Sequence, residues 1–163
     1  MKSAKRILFL GLFAAIVFAL PVSVLANKMI FISTLTTDAE LHDVIGSSAR
    51  GNGVVATMPS GIHFQVAVHN LSGDATAAHI HGPAGTDANG PVVVTLCGGP
   101  APAVLAQCTM ENGMLKISGV ITNQLVGMTP VEFMNALNNG QLYLNVHTAL
   151  NPAGEVRGQL YPR

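Results

Sequence analysis

Gln141-Leu-Tyr-Leu-Asn-Val-His-Thr148, then Ala149-Leu-Asn-Pro-Ala153, then Gly154-Glu-Val-Arg-Gly-Gln-Leu-Tyr161 close the chain as two alternating runs around an Asn-Pro-Ala-Gly turn. This pattern reads as a β-hairpin. Side chains alternate with period 2, so Leu142, Leu144, Val146 and Thr148 share one face and Tyr143, Asn145 and His147 the other. The second run sends Val156, Gly158 and Leu160 inward and Glu155, Arg157, Gln159 and Tyr161 outward. With residues 149 to 153 as the loop, antiparallel pairing sets His147 opposite Glu155, Asn145 opposite Arg157 and Tyr143 opposite Gln159. One face is then core and the other a polar ladder. A one-residue slip would exchange the faces, so the apolar alternation pins the register.

Upstream, the mature chain offers further strands. Met29 to Thr36 is rich in β-formers, residues 37 to 52 read as loop, and Gly53 to Met58 and Ile62 to Asn70 flank the turn Pro59-Ser60-Gly61. In the second of these, Phe64, Val66 and Val68 take the core face, while His63, Gln65 and His69 take the other. Thr76 to Gly82, Pro91 to Leu96 and Met114 to Ile121 are additional strands, the last entered through Glu111-Asn112-Gly113. One helix start is clear. Thr129 is the N-cap, Pro130 occupies N1 and Glu132 sits at N3 to complete a capping box, with Phe133, Met134 and Leu137 as the apolar stripe and Asn139-Gly140 as the stop. The expected fold is all-β, an antiparallel β-sandwich of immunoglobulin-like or superoxide-dismutase-like Greek-key type, with one short helix before the last hairpin.

The first 26 residues have a different character. Lys2, Lys5 and Arg6 precede the apolar stretch Ile7 to Leu20, and Val24-Leu25-Ala26 places a small residue before the expected cut, so residues 1–26 read as a signal peptide. The apolar run is shorter than the ~20 residues of a spanning helix, which favours cleavage over a retained membrane anchor. Residues 27–163 then form one domain of an exported protein, periplasmic or extracellular. That domain keeps five basic residues against eight acidic ones, a formal net charge of −3. It has no basic stripe to neutralise phosphates, so nucleic acid is not an expected partner. Cys97 and Cys108, with ten Gly-, Pro- and Ala-rich residues between them, suit a structural disulfide and lack the Cys-x-x-Cys spacing of a redox or metal pair.

Four stretches taken in order carry a family resemblance: AHIHGPAG at 78–85, Asn89-Gly90-Pro91-Val92-Val93, GQLYLNVHT at 140–148 and NPAGEVRGQL at 151–160. Together they resemble the CHRD domain, named after chordin, over about residues 31 to 161. The resemblance implies a β-sandwich outside the cytoplasm that serves as a binding module without assigned catalysis. The chain departs from the family pattern near its start, where many members carry Glu followed by two prolines and this one has Glu40-Leu41-His42-Asp43.

The histidines raise a second reading. His79 and His81 lie two apart, so both imidazoles leave an extended strand on one face, and His147 projects from the polar face of the final hairpin. Three neutral imidazoles suit copper or zinc, with water, Glu155 or a methionine as the fourth donor. The structural alternative has each imidazole bonded to a loop carbonyl or to Glu155. Tyr143, Asn145, Glu155 and Arg157 read as a hydrogen-bonded network. His63 and His69 are about 20 Å apart along a strand and cannot share one ion; His42, in a loop, is uninformative. Met58, Met110, Met114, Met128 and Met134 show no Met-x-x-Met cluster and read as core fillers.

His-x-His in a sandwich also resembles copper/zinc superoxide dismutase, but no histidine lies between His81 and His147 to bridge two metals. Nucleophile elbows, zincin motifs and phosphate loops are absent as well, so no enzyme is expected. The sequence therefore supports an exported, non-catalytic CHRD-type module whose partner is a protein or small ligand, with a copper or zinc binder as the alternative and a dismutase-like enzyme the weakest reading.

Overall fold

The computed structural model describes residues 28–99 and 105–163. The leader expected at 1–26 lies outside them. Among the described residues there are ten strands: β1 Ile30–Thr36, β2 Arg50–Met58, β3 Gly61–His69, β4 Ala75–His81, β5 Val92–Gly98, β6 Thr109–Glu111, β7 Met114–Ile121, β8 Tyr143–Thr148, β9 Val156–Gln159 and β10 Tyr161–Pro162. The α-helix among them, α1 Pro130–Asn138, precedes the last hairpin, as expected. The loop after β1 is shorter than the sequence suggested, because β2 starts at Arg50 rather than Gly53. Backbone pairing with β1 and β3 carries this Gly- and Asn-containing stretch into the sheet despite its poor strand propensity.

All named strands belong to one antiparallel sheet in the order β5-β4-β8-β9-β1-β2-β3-β7-β6, with β10 beside β1. The two layers expected of a sandwich are thus the two halves of one sheet curled around a shared core. Its ends meet. The disulfide Cys97–Cys108 ties β5 to the residue preceding β6, Cys97 also bridges Ala106, and Val126 N–H bonds the Val93 carbonyl at 2.9 Å.

Period-2 alternation fills the interior. Phe31 and Leu35, Phe64, Val66 and Val68, Ile80, Leu115 and Ile117, and Leu142, Leu144 and Val146 all enter one contiguous core. Burial of such side chains contributes roughly 1.5–3 kcal/mol each. The helix begins at the full capping box, with the Thr129 hydroxyl accepting from Glu132 N–H and the Glu132 carboxylate accepting from Thr129 N–H. It buries Phe133, Ala136 and Leu137, leaving Met134 only partly covered. Gly140, at φ 63°, ends it in the left-handed conformation.

The final hairpin differs from the reading of one apolar and one solvated face. Both faces of β8 and β9 are buried: Tyr143, Asn145, Arg157 and Gln159 are all under 9% exposed. Loops fold over the outer side. The pairs Tyr143↔Gln159 and Asn145↔Arg157 form as expected, but β9 starts at Val156, so no His147–Glu155 pair extends the ladder and the loop takes seven residues.

Candidate metal centre

The outer face of β4, β8 and β9 is a grid set by register. His81 lies opposite Tyr143, which lies opposite Gln159; His79 lies opposite Asn145, which lies opposite Arg157; and Ala77 lies opposite His147. His147 is therefore diagonal to His79, within reach of a long side chain. The topology brings together three histidines from distant parts of the sequence because β4 pairs directly with β8.

One ligating nitrogen from each of His79, His81 and His147 lies within 4.8 Å of the other two, and all three residues are half-buried. His79 Nδ1 and His147 Nε2 are 3.1 Å apart. His147 Nδ1 is 3.0 Å from the Pro152 carbonyl and His81 Nδ1 is 3.0 Å from the Gly90 carbonyl. A carbonyl only accepts, so each Nδ1 carries the proton and each Nε2 keeps its lone pair. His147 Nε2 then accepts from His79 Nδ1–H. His81 Nε2 is buried with no hydrogen-bond partner.

Burial, reinforced by the neighbouring His147 and His81, lowers the His79 pKa from 6.5 to about 4. Burial likewise lowers the values of His81 and His147, partly opposed by their bonds to the Gly90 and Pro152 carbonyls. The three rings are neutral at physiological pH, the state in which imidazole donates to a metal.

The loop from Gly82 to Pro91 is strapped over this face. Arg157 Nη1 donates to Asn89 Oδ1 at 2.9 Å, and Nη2 donates to the Gly85 and Ala88 carbonyls at 2.8 Å. The Arg157 guanidinium carbon lies 3.7 Å from the Tyr143 ring centroid, and the opposing contact of that tyrosine is with His81, stacked at 5.1 Å and 10°. Gln159 Nε2 donates to the Ala84 and Gly140 carbonyls, and Gly90 N–H donates to Tyr143 Oη. The strap fixes the His81 ring through both the stack and the Gly90 carbonyl.

The expected four-residue network divides into three. Tyr143 and Arg157 meet, as above. Asn145 instead donates to Glu40 Oε1 at 2.6 Å. Glu155 is fully buried and accepts from Ser47 Oγ, Ser72 N–H, Ser72 Oγ, Thr148 Oγ1 and Asn151 Nδ2. It is committed to tying three loops together and is not a fourth donor for the histidines. Glu155 lies before β9 begins, so strand alternation does not govern it. Among the described residues His63 is bonded to Ser60 on the outer side of β3, and His69 is exposed. Neither belongs to the histidine cluster, although the sequence left open that either could join a site built by other strands.

Sequence reasoning missed Glu40, Ser47, Ser72 and Asn151; its structural alternative did give the imidazoles loop carbonyls as partners, which His81 finds at Gly90 and His147 at Pro152. The first four are loop residues without periodicity, and a carbonyl leaves no mark in sequence. The larger surface grooves lie elsewhere, on the outer side of β2, β3 and β7, lined by Val54, Gln65 and Ser118. Among the described residues His79, His81 and His147 form the one group of three or more His, Cys, Asp or Glu side chains able to share an ion.

A family model described as the CHRD domain matches residues 31–160, and the chain belongs to that family. The match supports a binding module in general. No curated protein and no solved structure matches the chain. The disulfide accords with an oxidising environment.

Proposed function

For this CHRD-domain protein we propose an exported, non-catalytic binding module whose ligand is a single copper or zinc ion held by His79, His81 and His147. The observation that carries the reading is the buried, unpartnered Nε2 of His81 within a cluster of three neutral imidazoles. A buried nitrogen lone pair without a donor costs free energy, and an ion removes that cost. The Nδ1–H bonds of His81 and His147 to backbone carbonyls are the outer-shell contacts that hold metal-ligating histidines in one tautomer.

Ligands of a tetrahedral ion lie roughly 3.3 Å apart for metal–nitrogen bonds of about 2.0–2.1 Å. The 3.1 Å pair His79 and His147 already has that spacing. Loading would exchange their mutual hydrogen bond for two bonds to the ion, and the His79 proton would move to Nε2 if Nδ1 is the donor. A fourth position would stay open to water, since Glu155 is engaged elsewhere.

The test is metal content and thermal shift of protein purified without a His tag. One equivalent of Cu(II), Zn(II), or Cu(I) under reductant should raise the melting temperature by mass action, an effect worth about 2.7 kcal/mol at a hundredfold excess over Kd. His81→Ala should abolish the shift. Wild-type protein that responds to none of the three ions would sink the reading.

A further inference from the structure

We infer that Glu40 sets the charge of this site, so that it favours a divalent ion over a monovalent one. The inference rests on the metal-binding reading above. Its starting point is a contrast between the two buried carboxylates. Glu155 is saturated by donors from three segments. Glu40, whose side chain is 3% exposed, receives one short bond from Asn145 Nδ2 at 2.6 Å and has His42 Nδ1 at 3.8 Å.

The seat of this carboxylate is built into the chain. Gly154 has φ 138°, and a Cβ there would lie 2.6 Å from Glu40 Oε1 and 2.8 Å from Asn145 Nδ2. Any larger residue at the turn would displace the pair. Asn145, in turn, lies opposite His79 in the ladder and two residues before His147 on the same face. Asn145 thus joins the Glu40 carboxylate to the row of the sheet that carries His79 and His147.

The nearby charges do not satisfy it. His42 is partly exposed and donates from Nε2 to the Gly154 carbonyl at 3.0 Å. Burial raises the Glu40 pKa, only partly opposed by His42, by the Asn145 bond and by Arg157, which spends its hydrogen bonds on neutral groups. Three neutral imidazoles would leave the full charge of a bound ion uncompensated in a half-buried site. An anion held one side chain away is the missing complement, and its attraction scales with the charge of the ion.

Affinities for Zn(II) and Cu(I), measured by competition with chelators on the tag-free protein, test this. Glu40→Gln keeps the shape and removes the charge. Removing one unit charge from the surroundings of a half-buried divalent ion costs on the order of 10–100-fold in affinity. For Zn(II) that loss is expected, and for Cu(I) about the square root of it, roughly 3–10-fold, because the interaction is linear in charge. Glu40→Asp should leave the ratio of the two affinities near that of the wild type. An equal loss for both ions, or none for either, overturns the inference while leaving the metal site standing. If Glu40→Gln does not fold, Glu40→Met takes its place, with the same unequal loss expected for the two ions and an equal or absent loss overturning the inference. Wild-type protein that binds neither ion removes the site and the inference together.

Discussion

Glu155 and Arg157 stand two residues apart in the chain and share no contact. The carboxylate is enclosed by Ser47, Ser72, Thr148 and Asn151, and the guanidinium lies on the Tyr143 ring beneath the Gly82–Pro91 loop. Each buried charge is solvated by neutral dipoles, not by the other charge. The hydrogen bonds to Glu155 more than offset the opposing effect of its burial, and its pKa is lowered.

Replacing Glu155 with Ala should therefore be among the most damaging single changes. It strands the donors of Ser47, Ser72, Thr148 and Asn151 in the interior. Equilibrium urea unfolding should show a loss of about 3–5 kcal/mol, since each buried donor left unsatisfied costs roughly 1–3 kcal/mol. A loss under 1 kcal/mol would mean that water replaces the carboxylate.

Arg157→Lys keeps the charge and removes the planar fork. A lysine makes point contacts and cannot hold Asn89, Gly85 and Ala88 together while stacked on Tyr143. Expected are about 1–3 kcal/mol of destabilisation and faster amide exchange at Gly90, whose N–H bonds Tyr143. Unchanged exchange at that amide would refute the strapping role.

The histidines dictate a pH dependence for metal-free protein. Their folded pKa values lie below the unfolded value of 6.5, so the unfolded chain binds more protons as pH falls. Stability is complete above about pH 6.5 and declines as the pH drops toward 4, the folded value of His79. Ordinary imidazoles, with a pKa near 6.5, would release a metal below about pH 6; burial moves that release lower. Melting temperatures of wild type and His79→Ala across pH 4–7 should converge toward the acid end, and parallel curves would contradict the assignment.

Thr129→Ala removes the acceptor for Glu132 N–H and the hydroxyl donor to Glu132 Oε2, leaving only the backbone half of the capping box. The denaturation midpoint should fall by the equivalent of about 1 kcal/mol with the m-value unchanged. An unmoved midpoint would show that packing of Phe133 and Leu137 alone holds the helix.

Much of the fold is legible in the residues. Alternation placed Phe64, Val66 and Val68 in the core and fixed the pairing of Asn145 with Arg157, because both signals are local and periodic. Thr129-Pro130-Val131-Glu132 marked the helix for the same reason. The convergence of His79, His81 and His147 was suggested by facing, but their mutual distances depend on β4 pairing with β8 across more than sixty residues, which no local pattern records. Glu155 was misassigned because alternation was carried one residue past the start of the strand. Glu40 was invisible, since a loop carboxylate gives no sign of its depth.

The bond between Cys97 and Cys108 closes only a short span of sequence, yet in the sheet order it joins the first strand to the last. It acts as the clasp of a bracelet. Unfastened, it would leave closure to the Cys97–Ala106 bridge, the Val126–Val93 bond and the shared core, and any rim that opened would offer unsatisfied amides and carbonyls to another chain. A thiol-reducing environment should therefore favour association between chains before any change in the core.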